Sequence, residues 1–149
     1  MRSLWIRTAA PTLLLALAGP AAPSTARDEA VERVRQGVER IRSIGAPRAY
    51  AEINGAGNPR GGQHLVVYSL DGDCLAHGAN PSQVGRNLLE QTDIEGRFLV
   101  KERLLMAQVM PHGFWHEHKQ ANLFSKQVEQ RLMYCQRLGE TAVCSGVRR

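Results

Sequence analysis

The stretch Leu65–Asn87 restricts what this chain can fold into more than any other part of it. An apolar run, L-V-V-Y-S-L, leads into Asp71-Gly72. That dipeptide is a strong hairpin signal, because tight hairpin turns need positive φ, which Gly adopts freely and Asp tolerates. A second strand is predicted over Asp73–His77, and Asn80-Pro81 has the form of a helix N-cap and first helical residue, with Gly85 as the stop. If Asp71 and Gly72 are the two turn residues, Leu70 faces Asp73, Tyr68 faces Leu75 and Val66 faces His77. Facing side chains share a side of the sheet, so Tyr68 and His77 become diagonal neighbours. A phenol beside an imidazole among apolar groups suits the wall of a small-ligand pocket. It also suits a core pair that satisfies itself or the backbone. Nothing in the stretch has the form of a nucleophile with its base, which favours binding over catalysis.

Around this hairpin the chain alternates helical and extended patterns. Val31, Val34, Val38 and Ile41 recur at spacings of three and four, so a surface helix is predicted over Arg27–Ser43, ended by Gly45 and Pro47. A short second helix is expected over Arg48–Ile53, and Asn54–Gly62 is rich in loop-forming Gly, Asn and Pro. Leu88–Glu95 reads as an irregular connector. Arg97–Met110 is apolar around more than half its circumference and should be largely buried. Phe114–Lys119 is a third strand, and Val128–Arg137 with Thr141–Val147 form a second hairpin around Gly139-Glu140. Helices and antiparallel strands in this order predict an α+β fold, a sheet with helices packed on its faces.

The amino terminus follows a different logic. Arg2 and Arg7, an apolar run at Leu13–Leu17 and then G-P-A-A-P-S-T-A form the order of a secretory signal peptide, with cleavage after Ala22 or Ala26. The run is too short, and too interrupted by Pro11 and Pro20, to span a bilayer comfortably. Removing 26 residues with their two arginines takes the 149-residue chain to 123 and its formal charge from +5 to +3. Charge this modest and this scattered does not fit nucleic-acid binding. The expected location is the periplasm or the exterior, as one domain over residues 27–149.

Three cysteines would then meet an oxidising compartment. With Gly139-Glu140 as turn residues, Leu138 faces Thr141 and Cys135 faces Cys144, at a non-hydrogen-bonded position where side chains approach most closely. A Cys135–Cys144 disulfide is therefore predicted, with two buried thiols as the alternative, and Cys74 is left over. His116 and His118 would project from one strand face. Together with His77 or His112 they raise the alternative of a metal-binding protein, although no recognised ligand spacing is present. Asp71-Gly72-Asp73 lacks the acidic twelfth position of a calcium loop, which is Ser82 here.

The run L-V-V-Y-S-L-D-G-D-C-L-A-H followed by N-P-S-Q-V-G-R-N-L-L resembles the single-Cache sensor domains of bacterial extracytoplasmic proteins. Those typically read aromatic-Val-Tyr-Asp-Leu-Asp-Gly-x-Val-Leu-Ala-His-Pro and then x-x-Val-Gly-Lys-Asn-Leu. Ala51-Glu52-Ile53-Asn54, Asp93, Gly96, Gly113, Trp115, Arg137-Leu138 and Gly146 extend the similarity over about residues 30–147. The resemblance implies a PAS-like fold: a five-stranded antiparallel sheet, a long N-terminal helix on one side and a ligand pocket on the other. It implies a small-molecule ligand, often a short organic acid, and no catalysis, and no cofactor is expected. Family members commonly sit outside the membrane on chemoreceptors, histidine kinases or cyclic-nucleotide enzymes. This chain resembles a free-standing version, so signalling is expected through a separate membrane sensor or transporter partner. Tyr68, His77, Trp115, His118 and Tyr134 are the expected pocket lining, with Arg86 as a carboxylate partner. The chain departs from the family pattern at Ser69, at Gly78 and at His116-Glu117-His118. A third alternative is an interaction or structural domain whose pocket is filled by its own side chains.

Overall fold

A computed structural model describes residues 25–57, 63–122 and 125–147. The predicted signal peptide, except for its last two residues, and the Arg148-Arg149 end lie outside the described residues. Helix α1 (Ala26–Ile44) starts one residue before its predicted position, because Thr25 closes a reciprocal capping box with Asp28. The Thr25 hydroxyl accepts from the Asp28 N–H at 3.1 Å, and the Asp28 carboxylate accepts from the Thr25 N–H at 3.0 Å. Two otherwise orphaned donors are thereby satisfied at the positive end of the helix dipole. Its buried seam is Ala30, Val34, Gly37, Val38 and Ile41, while Val31 is only half-buried.

Pro47 does not only end α1; it opens α2 (Ala46–Gly55). Proline lacks just the N–H that a first helical turn leaves unpaired, so it is tolerated there. Gly45, at φ +85°, makes the corner between the two helices.

Five strands follow: β1 (Leu65–Ser69), β2 (Cys74–His77), β3 (Phe114–Ala121), β4 (Val128–Leu138) and β5 (Thr141–Gly146), with α3 (Leu99–Val109) between β2 and β3. They form one antiparallel sheet in the order β2-β1-β5-β4-β3. Helices α1 and α2 cover one face, where Val34, Val38 and Ile41 meet Val67, Ala76 and Val143. Helix α3 covers part of the other, packing Val100, Leu104 and Ala107 against Val66, Tyr68, Phe114 and Met133. The predicted α+β architecture is present in full.

The first hairpin differs from its two-residue prediction. Ser69 N–H donates to the Asp73 carbonyl at 2.9 Å, so Leu70, Asp71 and Gly72 form a three-residue loop, with Gly72 at φ +97°. This is the next most common hairpin closure, in which Gly takes the left-handed position. It shifts the register by one, and Tyr68 faces Cys74 instead of Leu75. A bulge between Val67 and Tyr68 then restores the count, and Val66 faces His77 as predicted. The Ser69 hydroxyl supports the loop by accepting from the Asp73 N–H at 3.0 Å.

The second hairpin has its predicted register, Leu138 facing Thr141 and Cys135 facing Cys144. Those cysteines form a disulfide across a Cα separation of 4.1 Å. Cys74 is a buried free thiol whose pKa burial pushes up to about 11.

Candidate ligand-binding site

A cavity of about 490 Å³ opens on the α3 face of the sheet, between the strands and the segment that joins β2 to α3. Its size falls within the range of small-molecule sites. The centre of its polar chemistry is Arg103, which sequence reasoning passed over. Arg103 projects from α3 and is only 3% exposed.

Its donors meet three neutral acceptors. The Arg103 Nε donates to His116 Nδ1 at 3.2 Å, its Nη1 to the Tyr68 hydroxyl at 3.4 Å, and its Nη2 to His118 Nδ1 at 3.2 Å. A guanidinium can only donate, so both Nδ1 atoms must accept, and both imidazoles carry their proton on Nε2. His116 uses that proton on Glu102 Oε2 at 3.1 Å, and Glu102 is in turn clasped by Arg97, with Arg97 Nη2 at 2.5 Å from Oε2. The Arg97 guanidinium, more than His116, holds the Glu102 carboxyl below its usual range. Among the described residues, His118 has no such acceptor behind it. Burial, helped by the Arg103 charge, drives its pKa down to about 4, so the ring is neutral at physiological pH. Burial likewise lowers His116 and raises the Tyr68 phenol. Among the described residues, no carboxylate pairs with Arg103.

His77 stands elsewhere on the wall. Its backbone N–H donates to the Asn54 side chain of α2 at 2.8 Å. Its Nδ1 accepts from the Ala79 and Asn80 N–H groups at 3.3 and 3.0 Å, which again leaves the proton on Nε2. His64 stacks on this ring with centroids 5.0 Å apart. Burial keeps His77 below its ordinary pKa.

Of the six expected lining residues, Tyr68, His77 and His118 border this cavity, and Arg86, Trp115 and Tyr134 do not. Successive strand residues point to opposite faces, so His116 and His118 on the cavity side put Trp115 on the α1 side. Trp115 there faces its β4 partner Tyr134, with ring centroids 5.1 Å apart, and Arg27 of α1 lies 5.4 Å over the indole. Arg86 is exposed and reaches Gln83. The buried arginine that borders the cavity is Arg103. A signal was available in the sequence: Arg103 sits one helical turn from both Val100 and Ala107 and next to Leu104, inside an apolar face.

The metal alternative fits poorly. Arg103 occupies the Nδ1 lone pairs of His116 and His118, and among the described residues no three His, Cys, Asp or Glu side chains converge on a metal-sized site. His112 does not border the cavity. A second concavity, of about 460 Å³, lies between α1, α2 and β1. Of its charges, Arg40 is bound through two bonds to Glu52, while Arg33 donates to the neutral Ser145 hydroxyl and feels the Glu29 carboxylate.

A five-stranded antiparallel sheet with a long N-terminal helix on one face and a polar-cored cavity on the other defines a PAS-like sensor domain. A family model, Single Cache domain 2, matches residues 21–140, and the chain belongs to that family. Solved structures share the fold. A methyl-accepting chemotaxis protein from Vibrio parahaemolyticus is 15% identical, with a TM-score of 0.68 over 82% of this chain and 87% of that one. The periplasmic sensor domain of a chemotaxis protein is 18% identical, with a TM-score of 0.65 over 83% and 92%. A domain described under carboxylic acid recognition by a Cache chemosensory domain is 14% identical, with a TM-score of 0.64 over 81% and 91%. No curated protein matches. Among the described residues no helix is long and apolar enough to cross a membrane.

Proposed function

We propose that this chain is an extracytoplasmic sensor module that binds a small carboxylate in the cavity beneath α3 and signals through a separate membrane partner. One observation carries the reading: a guanidinium 3% exposed whose hydrogen-bond partners are all neutral. A buried charge is normally matched by an opposite one, because its desolvation is costly. Here the match would come from the ligand, and a planar carboxylate fits the remaining guanidinium donors. The surroundings favour an anion too. The Tyr68 hydroxyl accepts from Arg103 and keeps its own proton for donation, as does His118 Nε2. Asp93 is the carboxylate of the wall; its Oδ1 is taken by the N–H groups of Glu95 and Arg97, while its buried Oδ2 has no hydrogen-bond partner and opposes an anion beside it.

Membership of the Cache family and the carboxylic acid recognition of a structural neighbour support the same class of ligand. No hydroxyl or thiol is hydrogen-bonded to a histidine among the described residues of the wall, which supports binding without turnover. Export by residues 1–26 would place the domain outside the cytoplasm. Cleavage after Ala22 keeps the Thr25 cap on α1, whereas cleavage after Ala26 removes it.

Isothermal titration with acetate, propionate, butyrate and lactate tests the proposal, with thermal shift alongside, since a ligand of the native state raises its melting temperature. At least one acid should bind the native protein. Arg103→Gln should weaken it about 10- to 100-fold, the loss of a charge-assisted bond worth about 1.5–3 kcal/mol. Binding that is unchanged in Arg103→Gln, or absent for every carboxylate tried, overturns the reading.

A further inference from the structure

We infer that the ligand is a two-headed acid, with one carboxylate at Arg103 and a second acceptor group four to six atoms away, held by His77 and Asn80. The inference rests on the carboxylate reading above and extends it to the whole cavity. Its wall carries free donors at two depths, and beside the deep ones the buried Arg131 Nε has no hydrogen-bond partner. The deep set is Arg103, the Tyr68 hydroxyl and His118 Nε2, on side chains no more than 6% exposed. The second set is nearer the mouth, where His77 is half-buried and Asn80 exposed.

The free atoms of that second set follow from their partners. His77 Nδ1 accepts from two backbone N–H groups, so its Nε2 is a donor. Asn80 Oδ1 accepts from the Ser82 hydroxyl at 2.5 Å, so its Nδ2 can only donate. Both residues border the cavity. Val66, Leu88, Leu99 and Met133 add apolar surface to the same wall, alongside the polar Gln91, Thr92 and Gln120.

Spacing follows from the ladder. His77 faces Val66, and Tyr68 lies two residues farther along β1 on the same face. Diagonal neighbours of this kind sit about 7–8 Å apart. An acetate or propionate held at Arg103 would leave the His77 end to water and much of the 490 Å³ unfilled. A glutarate or adipate would occupy more of it and present acceptor oxygens to both donor sets.

The experiment compares butyrate with succinate, glutarate and adipate by isothermal titration at pH 7.5, on the full chain and on His77→Asn. Asparagine can still accept from the Ala79 and Asn80 N–H groups, so the local turn keeps its support while the Nε2 donor is removed. Glutarate or adipate should bind the unaltered protein at least tenfold more tightly than butyrate. In His77→Asn that advantage should fall severalfold or more while butyrate affinity is kept. Equal affinity for butyrate and the diacids overturns the two-headed assignment and leaves the carboxylate reading standing. A diacid advantage that survives in His77→Asn removes His77 as the second contact and overturns it too. Failure of every acid to bind overturns both proposals. Should His77→Asn not fold, the comparison on the unaltered protein still decides between one head and two.

Discussion

Arg103 and His118 meet at 3.2 Å beneath α3, and the direction of that bond sets the character of the cavity. Because Arg103 supplies the proton, the imidazole stays neutral and turns its own N–H outward. Helix α3 and strand β3 thus jointly convert one buried positive charge into a cluster of donors.

The two faces of β3 should separate in mutation. His118→Ala removes a cavity donor and should weaken carboxylate binding about tenfold, the scale of one hydrogen bond to a charged group. Trp115→Ala lies on the α1 side of the same strand and should leave affinity within twofold. It should nevertheless lower stability by about 1–3 kcal/mol, as the loss of a packed aromatic against Tyr134 and Arg27 requires. Titration calorimetry and denaturant melts on both variants check this, and reversed effects would reverse the face assignment.

Stability should fall on mild acidification. The His118 pKa is about 4 in the folded chain against 6.5 for a free histidine, and His116 and His77 are lowered as well. Between those values the unfolded chain binds protons that the folded chain refuses, so the stabilisation is intact above pH 6.5 and declines towards pH 4. Arg103, His116 and Arg131 oppose protonation of His118, and Asp93 favours it. Melting temperature measured from pH 7.5 down to pH 5 should decrease. In His118→Gln the decrease should be shallower, and an equally steep one would remove His118 as a contributor.

The second hairpin should lose stability on reduction. Cys135 and Cys144 are nine residues apart, and closing a loop of that size is worth about 2.5 kcal/mol on the chain-entropy account. Reduction should add two hydrogens to a peptide holding both cysteines. Cys135→Ser with Cys144→Ser should lower the unfolding free energy by about that amount, whereas Cys74→Ala should leave the peptide mass shift unchanged.

Gly113 should not tolerate a side chain. It takes φ +141°, and a Cβ there would lie 1.9 Å from the Tyr134 hydroxyl. Gly113→Ala therefore combines backbone strain with a clash at the entry to β3 and should cost about 1–3 kcal/mol in a chemical melt. In the Tyr134→Ala background, Gly113→Ala should cost less than it does in the unaltered chain, because the clash is already removed and only the strain is left.

The sequence by itself determined the elements and much of the register. Local signals suffice where a turn is short and its partner strand is next in the chain, as at Gly139-Glu140, and the Cys135–Cys144 bridge followed from counting outward. The same count at Asp71-Gly72 was off by one near the turn, because Gly72 takes the left-handed position of a three-residue loop. It was right again at Val66 and His77, because a bulge cancels the slip. Tyr68 and His77 could be placed on one face by the cross-strand count, whereas His118 lies on β3 and its place beside them depends on the tertiary structure. Trp115 and Tyr134 lie on the α1 side of the sheet, as alternation with His116 and His118 requires.

Only the tertiary structure decided the chemistry. Arg103 belongs to α3, yet it acquires its role from Tyr68 on β1 and from His116 and His118 on β3, residues 13 to 35 positions away. No local pattern encodes that meeting. In the sequence Arg103 is one arginine among many, and it becomes a candidate anion site when helix packing closes water away from it and supplies no carboxylate in return.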